Sequence, residues 1–117
     1  MKIALFGQYY QNSTAEIVQK VVTFLESNAI TIAFEASFLA SLKEKNIILK
    51  EYETYSNYNN LDADFKALIS IGGDGTILKA ATFVRDKNIP IIGINAGRLG
   101  FLATVQFENI EKKKKKL

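Results

Sequence analysis

Four short apolar runs are separated along this chain by segments in which apolar residues recur at helical spacing. The first run is continuous, and each of the others is interrupted by one polar residue or glycine at most, which is typical of strands that are buried on both faces of a sheet. The predicted strands are residues 3–6, 30–34, 68–71 and 91–94. Strands that alternate with helices indicate an α/β fold, in which crossover helices join the strands of a parallel sheet.

Three helices are predicted between these strands. Residues 13–16 (Ser-Thr-Ala-Glu) have the spacing of a capping box, so we expect the first helix to begin there and to end near residue 28. Apolar residues at helical spacing predict a second helix from residue 38 into the charged stretch 43–46, and a third over residues 77–85.

Residues 52–60 are polar, rich in Tyr and Asn, and without a clear period. We interpret this segment as a solvated surface loop, because loops run over protein surfaces. Contact of its tyrosines with a neighbouring subunit is the alternative.

Composition excludes several classes of site and partner. The net charge of +3 comes from the end of the chain, where residues 112–116 are all lysine. Such a run is typical of a solvated tail, so we expect no nucleic-acid partner. Cys and His are both absent, which excludes disulfides, Cys/His zinc sites, thiolate nucleophiles and a histidine base. Because no apolar run reaches the ~20 residues of a spanning helix, we expect a cytoplasmic protein without a membrane partner.

A glycine-rich turn follows the third predicted strand and precedes the third helix. Gly72, Gly73 and Gly75 flank Asp74, and Thr76 follows. Glycines let backbone N–H groups approach an anion without an intervening Cβ, and the helix adds its positive N-terminal end. Ligands of open α/β sheets bind at the carboxyl ends of the strands. The turn therefore predicts a phosphate site, although neither the GxGxxG nor the P-loop pattern is present.

Asp74 within this turn would repel a phosphate, so its presence requires another use. We expect it to act on a substrate hydroxyl, or on a magnesium ion that bridges phosphates. The structural alternative is that Asp74 only caps the following helix. Lys79, one helical turn past Gly75, either reaches a phosphate as a point charge or belongs to the solvated helix surface.

A second cluster, residues 93–102 (GINAGRLGFL), follows the fourth predicted strand and should open onto the same edge of the sheet. The Asn95 side-chain amide offers hydrogen-bond donors and an acceptor. The planar guanidinium of Arg98 offers paired N–H donors that suit a phosphate group. The ring of Phe101 can stack on a base. The alternatives are a surface ion pair for Arg98 and a core position for Phe101.

Together these segments resemble the NAD kinases. Residues 72–76 match that family's GGDGT motif, and residues 93–95 with 99–102 match its second motif. The similarity extends from the first strand to about Thr104. Diacylglycerol and sphingosine kinases carry a related GGDGT turn. At the position of the second motif, however, they resemble G-T-x-N-D, whereas this chain has GINAGRLGFL. The second motif therefore favours the NAD kinases.

The resemblance implies a Rossmann-like three-layer domain with a mostly parallel sheet. It also implies phosphoryl transfer from ATP, or in some members polyphosphate, to the 2′-hydroxyl of the adenosine ribose of NAD, with Mg²⁺, giving NADP. Asp74 matches the proton acceptor of the family and Gly75 its NAD-contacting neighbour. Lys79 matches a basic NAD-contacting position and Phe101 the phenylalanine near adenine, whereas Arg98 lies where the family varies.

The same resemblance implies that residues 1–107 form the nucleotide-binding and catalytic N-terminal domain. Residues 108–117 would be the start of a helix or a lysine-rich tail. The family's β-rich second domain is absent from this chain, so we expect these 117 residues alone to be inactive. A homodimer or homotetramer is implied for the longer protein. A lipid kinase and a non-catalytic nucleotide-binding fragment are the alternative functions.

Overall fold

The predicted strands lie side by side in one sheet, together with a short strand that was not predicted. The computed structural model describes residues 1–8, 12–85 and 87–95, without the side chains of Asn12, Tyr58 and Asp74. The strands of this part are β1 (Lys2–Gly7), β2 (Thr31–Glu35), β3 (Glu53–Tyr55), β4 (Phe65–Gly72) and β5 (Ile91–Asn95). Its α-helices are α1 (Asn12–Ser27), α2 (Ala36–Glu44) and α3 (Asp74–Val84), and a 3₁₀ turn spans Tyr58–Asn60.

The strand order is β3-β2-β1-β4-β5, and every neighbouring pair is parallel. The chain therefore moves outward from β1 through β2 to β3, crosses back to β4, and moves outward again to β5. This is a Rossmann-like arrangement, and it confirms the predicted α/β fold. The strand order reverses between β1 and β4, which makes their carboxyl ends the switch point of the sheet.

Helices cover both faces of the sheet. Side chains alternate along β1, so Ile3 and Leu5 pack with α1 and α2, while Ala4 and Phe6 lie on the face that α3 covers. Ala80 and Val84 of α3 are buried on that second face. Because the central strands are buried on both sides, their sequences are mostly apolar, with Ser70 of β4 as a buried polar exception. The result is the expected three-layer domain.

The predicted capping box of α1 is wrong. The helix begins at Asn12, so Ser13, the predicted cap, is its second residue. The reason is packing: Thr14 is fully buried and continues the stripe of Val18 and Val21 by one more turn. Burial of that stripe therefore draws the helix start toward the N-terminus of the chain.

The interpretation of residues 52–60 as a solvated loop is also wrong for its first part. Glu53–Tyr55 form β3 and pair with β2, and Tyr55 is buried with its phenolic O–H donating to the Leu5 carbonyl at 3.0 Å. Burial, and secondarily the charge of Glu35, raise the Tyr55 pKa well above its ordinary value, so the phenol stays a neutral donor. A three-residue strand is too short to show a period, which is why the pattern missed it.

The residues before β3 are tied to the end of α1 through Glu26. Tyr52 donates its O–H to the Glu26 carboxylate at 2.8 Å, and the Lys50 ammonium lies 2.9 Å from the same oxygen. These two donors, Lys50 first, lower the Glu26 pKa, while desolvation and then Glu26 raise the Tyr52 pKa to about 12. The Tyr52 ring also packs on Phe34, with ring centroids 5.1 Å apart. This segment is therefore an ordered edge of the sheet.

Replacing Ala29 with glycine is expected to raise the free energy of unfolding by about 0.5–1 kcal/mol. Ala29 follows α1 with φ 58°, and it lies in a Schellman motif in which the Ile30 N–H donates to the Leu25 carbonyl at 3.0 Å. Glycine removes the left-handed strain, and its greater freedom in the unfolded chain offsets part of that gain. Urea unfolding measures the effect.

Asn46 provides the control for this substitution. It ends α2 in the same motif, also with φ 58°, but asparagine tolerates this conformation better than alanine does. Asn46→Gly should therefore stabilise the protein less than Ala29→Gly. Equal or reversed effects would contradict the strain assigned to Ala29.

Candidate functional site

The carboxyl ends of β1 and β4 meet at the switch point of the sheet. Gly7 of β1 is paired with Ile71 of β4, and the N–H of Gln8 donates to the Ile71 carbonyl at 3.1 Å. The helices that follow these two strands, α1 and α3, lie on opposite faces of the sheet, the arrangement in which ligands of this fold class bind at the switch point. The glycine-rich turn therefore lies where ligands of this fold class bind.

The turn converts strand to helix through one residue. β4 ends at Gly72, Gly73 is the extended N-cap residue, and α3 begins at Asp74. Asp74 is therefore the first residue of the helix and not its N-cap residue, and the alternative that its carboxylate only satisfies helix N–H groups stays a prediction. As the first residue of α3, Asp74 lies at the positive end of the helix, which favours a charged carboxylate.

The Gly73 N–H is already used within the protein. It donates to the Thr76 hydroxyl oxygen at 3.2 Å, while the Thr76 N–H donates to the Gly73 carbonyl at 3.1 Å. The N–H groups at the start of a helix have no intrahelical acceptor. A ligand at this turn would therefore meet the N–H groups of Asp74 and Gly75 rather than that of Gly73.

The glycines of the motif have different structural roles. A Cβ at Gly72 would lie 2.9 Å from the Thr76 Cβ, so Gly72 is required for the turn to close on itself. A Cβ at Gly75 would meet nothing within 4 Å, so the space beside Gly75 is open. Gly93 on β5 serves packing, because a Cβ there would lie 2.5 Å from the Ile77 Cδ1. The open position beside Gly75 is the one that a ligand can approach.

Thr76 is fully buried, and its hydroxyl is engaged on both sides. It accepts from the Gly73 N–H and donates to the Gln8 Oε1 at 2.8 Å. This geometry makes Thr76 a residue that orders the turn, and a direct ligand contact stays a prediction. Sequence reasoning missed Gln8. The signal that could have found it is a polar residue directly after a buried strand and its terminal glycine.

The exposed face of α3 continues the candidate site. Lys79 is exposed and lies four residues after Gly75, so the two share a helix face. Leu78 is 75% exposed and lies four residues after Asp74, with Ile77, 41% exposed, beside it. An apolar surface therefore adjoins the turn, which the sequence analysis did not identify.

Asn95 is brought to the turn by the sheet. It ends β5 and is paired with Gly72, so the two predicted motifs lie on neighbouring strands, as expected. Arg98 and Phe101 lie outside the described residues, as do the predicted boundary at residue 107 and the tail 108–117. Their predicted roles are therefore untested.

Searches for metal groups and for membrane spans give negative results within residues 1–8, 12–85 and 87–95. No three acidic side chains converge into a group that could hold a metal ion in this part of the chain. None of its helices has the length and apolar character that crossing a bilayer requires.

Comparisons with known proteins agree on one family. The family model described as the ATP-NAD kinase N-terminal domain matches residues 3–117. An NAD kinase from Flavobacterium johnsoniae is 55% identical over 111 residues, which are 95% of this chain and 38% of that protein. An NAD kinase from Methanothermobacter thermautotrophicus is 36% identical over 94% of this chain and 36% of its own length. This chain thus spans well under half the length of these curated relatives.

A solved structure shares the fold. The crystal structure of yeast NADH kinase complexed with NADH aligns with a TM-score of 0.63 and 16% identity, over 97% of this chain and 37% of that one. The predicted resemblance is confirmed by the family match and by the relatives. The chain belongs to the ATP-NAD kinase N-terminal domain family.

Proposed function

We propose that this chain is the N-terminal part of an enzyme that phosphorylates the 2′-hydroxyl of the adenosine ribose of NAD to give NADP. Family membership supports the proposal. The observation that carries it is the position of Asp74, the first residue of α3, at the switch point of the sheet. Phosphoryl transfer requires positioning and charge neutralisation, and both are available at a helix N-terminus.

In this proposal Asp74 orients the ribose hydroxyl and accepts its proton as the phosphoryl group arrives. The N–H groups of Asp74 and Gly75 face the developing charge. Lys79 and Arg98 supply cations, and Asn95 supplies polar contacts at the neighbouring strand end. The ring of Phe101 stacks on the adenine.

ATP is the proposed phosphate donor, with polyphosphate as the alternative, and bound Mg²⁺ would neutralise charge on the donor phosphates. The homo-oligomeric assembly expected from the resemblance and the cytoplasmic location expected from the composition belong to the same proposal.

The remaining part of the site is proposed to come from sequence that the relatives have and this chain does not. The test uses an extended protein, defined as this chain joined to the remaining C-terminal residues of the Flavobacterium johnsoniae relative. We expect NADP formation from NAD, ATP and Mg²⁺ by the extended protein and none by these 117 residues alone.

Two other results would redirect the proposal. Phosphorylation of diacylglycerol or sphingosine without NADP formation would favour the lipid-kinase alternative. Nucleotide-dependent thermal protection without any turnover would favour a non-catalytic binding module.

Replacing Gly75 with alanine should separate ligand approach from folding. The new Cβ meets no protein atom within 4 Å, and alanine is the better helix former, so stability should be kept or raised. The same Cβ occupies the open space beside the turn, so we expect kcat/KM of the extended protein to fall at least about tenfold, equivalent to about 1.4 kcal/mol. Steady-state kinetics and urea unfolding measure the two effects.

Thr82→Ala is the matched control. Thr82 is exposed on the same helix, about two turns beyond Gly75, and alanine raises helix propensity there as well. It should leave kcat/KM unchanged. Full activity of the Gly75→Ala protein would show that no ligand approaches Gly75.

A further inference from the structure

A hydrogen-bonded path joins the end of β1 to the turn that carries Asp74. The Gly73 N–H donates to the Thr76 hydroxyl at 3.2 Å, and the Thr76 hydroxyl donates to the Gln8 Oε1 at 2.8 Å. The Gln8 N–H in turn donates to the Ile71 carbonyl at 3.1 Å. Gln8 is therefore held to β4 by its backbone and holds the turn by its side chain.

The direction of this path follows from the number of protons. The backbone N–H of Gly73 can only donate, so the Thr76 hydroxyl accepts from it, and the hydroxyl donates its one proton to the Gln8 Oε1. The Gln8 side chain must then present its amide oxygen to Thr76 rather than its NH₂ group. Because Thr76 is fully buried, loss of this acceptor would remove a buried hydrogen bond between the turn and the end of β1.

We infer that Gln8 is a positioning residue for phosphoryl transfer, which acts through the Thr76 hydroxyl to hold the Gly73–Asp74 turn at the end of β1. The inference rests on the proposed function for its kinetic consequence and on the hydrogen-bonded path for its structural one. A shift of about 1 Å in a reacting group can lower the rate about 100-fold. Loss of a contact that positions the turn should therefore lower kcat.

The test begins with two near-isosteric substitutions in the extended protein. Gln8→Met removes the acceptor, and Thr76→Val removes the hydroxyl. We expect each to lower kcat about tenfold, with a smaller change in KM for NAD. Thr76→Ser keeps the hydroxyl and should recover most of the loss seen in Thr76→Val.

The double variant shows whether Gln8 acts through Thr76. If it does, Gln8→Met combined with Thr76→Val should lose no more kcat than Thr76→Val alone. Losses that multiply in the double variant, or an unchanged kcat in Gln8→Met, would overturn the inference.

Ser70→Ala is the matched control for removing a buried hydroxyl near the turn. Ser70 lies on β4 two residues before Gly72, and its buried Oγ has no hydrogen-bond partner within the described part of the chain. Its removal should leave kcat and KM unchanged and should not lower the stability, because no hydrogen bond is lost.

A readout that is independent of activity separates this inference from the proposed function. Amide hydrogen exchange at Gly73, followed by NMR in the same extended protein, should be slow in the parent and at least about tenfold faster in both Gln8→Met and Thr76→Val. An inactive parent with this exchange pattern would remove the proposed function and keep the support of the turn. Unchanged exchange at Gly73 in Gln8→Met would remove the support itself.

Discussion

Asparagine in place of Asp74 is expected to lower kcat for NADP formation by the extended protein by about 10²–10⁴-fold, the usual contribution of a general base. The amide is close to the carboxylate in size but accepts no proton and carries no charge. Because Asp74 is the first residue of α3, loss of its charge should cost only about 0.3–1 kcal/mol of stability. Steady-state rates and urea unfolding therefore distinguish lost chemistry from lost folding.

Asp64→Asn is the control for this substitution. Asp64 is exposed immediately before β4, at the opposite end of the strand from the turn. Its substitution also replaces one carboxylate with an amide. It should keep the parent rate. Retention of more than about a tenth of the activity by Asp74→Asn would contradict the role of Asp74 as proton acceptor.

Gly7→Ala is expected to lower the free energy of unfolding by about 2–3 kcal/mol, the upper part of the usual cost of overpacking. A Cβ at this position would lie 2.6 Å from the Ile71 carbonyl oxygen and 2.7 Å from Cζ of the buried Phe38 ring. The first contact is with backbone, which cannot turn aside, so β1 and β4 must separate at the switch point. The Gln8–Thr76 contact should then be lost, and NADP formation should fall with it.

The comparison with Gly75→Ala makes this prediction specific. Both substitutions add one methyl group near the same edge of the sheet, but only the one at Gly7 meets protein atoms. Urea unfolding should therefore show a large loss for Gly7→Ala and none for Gly75→Ala. A change at Gly7 within about 0.5 kcal/mol would contradict the close packing of the two strand ends.

The order of strands and helices could be predicted from sequence because it depends on local patterns. Mostly apolar runs identified β1, β2, β4 and β5, since strands covered on both faces leave few positions for polar residues. Strand β3 could not be found in this way. Its three residues show no period, and Tyr55 is buried through packing on Phe65 and Phe83 and a hydrogen bond to the Leu5 carbonyl, all on other elements.

The candidate site was predicted in part. The GGDGT turn could be located because three glycines around an acid are locally distinctive, and Asn95 was correctly expected at the same sheet edge. The sequence assigned the glycines one common role, whereas packing separates Gly72, which must close on Thr76, from Gly75, which faces open space. Gln8 was missed because its partner is 68 residues away along the chain.

By itself, the sequence determined that this protein has a parallel α/β core and carries an acid in a glycine-rich turn between a strand and a helix. It did so because buried runs, helical spacing and glycine turns act over a few neighbouring residues. Only the tertiary structure decided that the turn adjoins β1, that the Gly73 N–H donates to the Thr76 hydroxyl, and that this hydroxyl donates to Gln8. These contacts join residues distant in the chain, and they form only when the strands pack side by side, which no local pattern records.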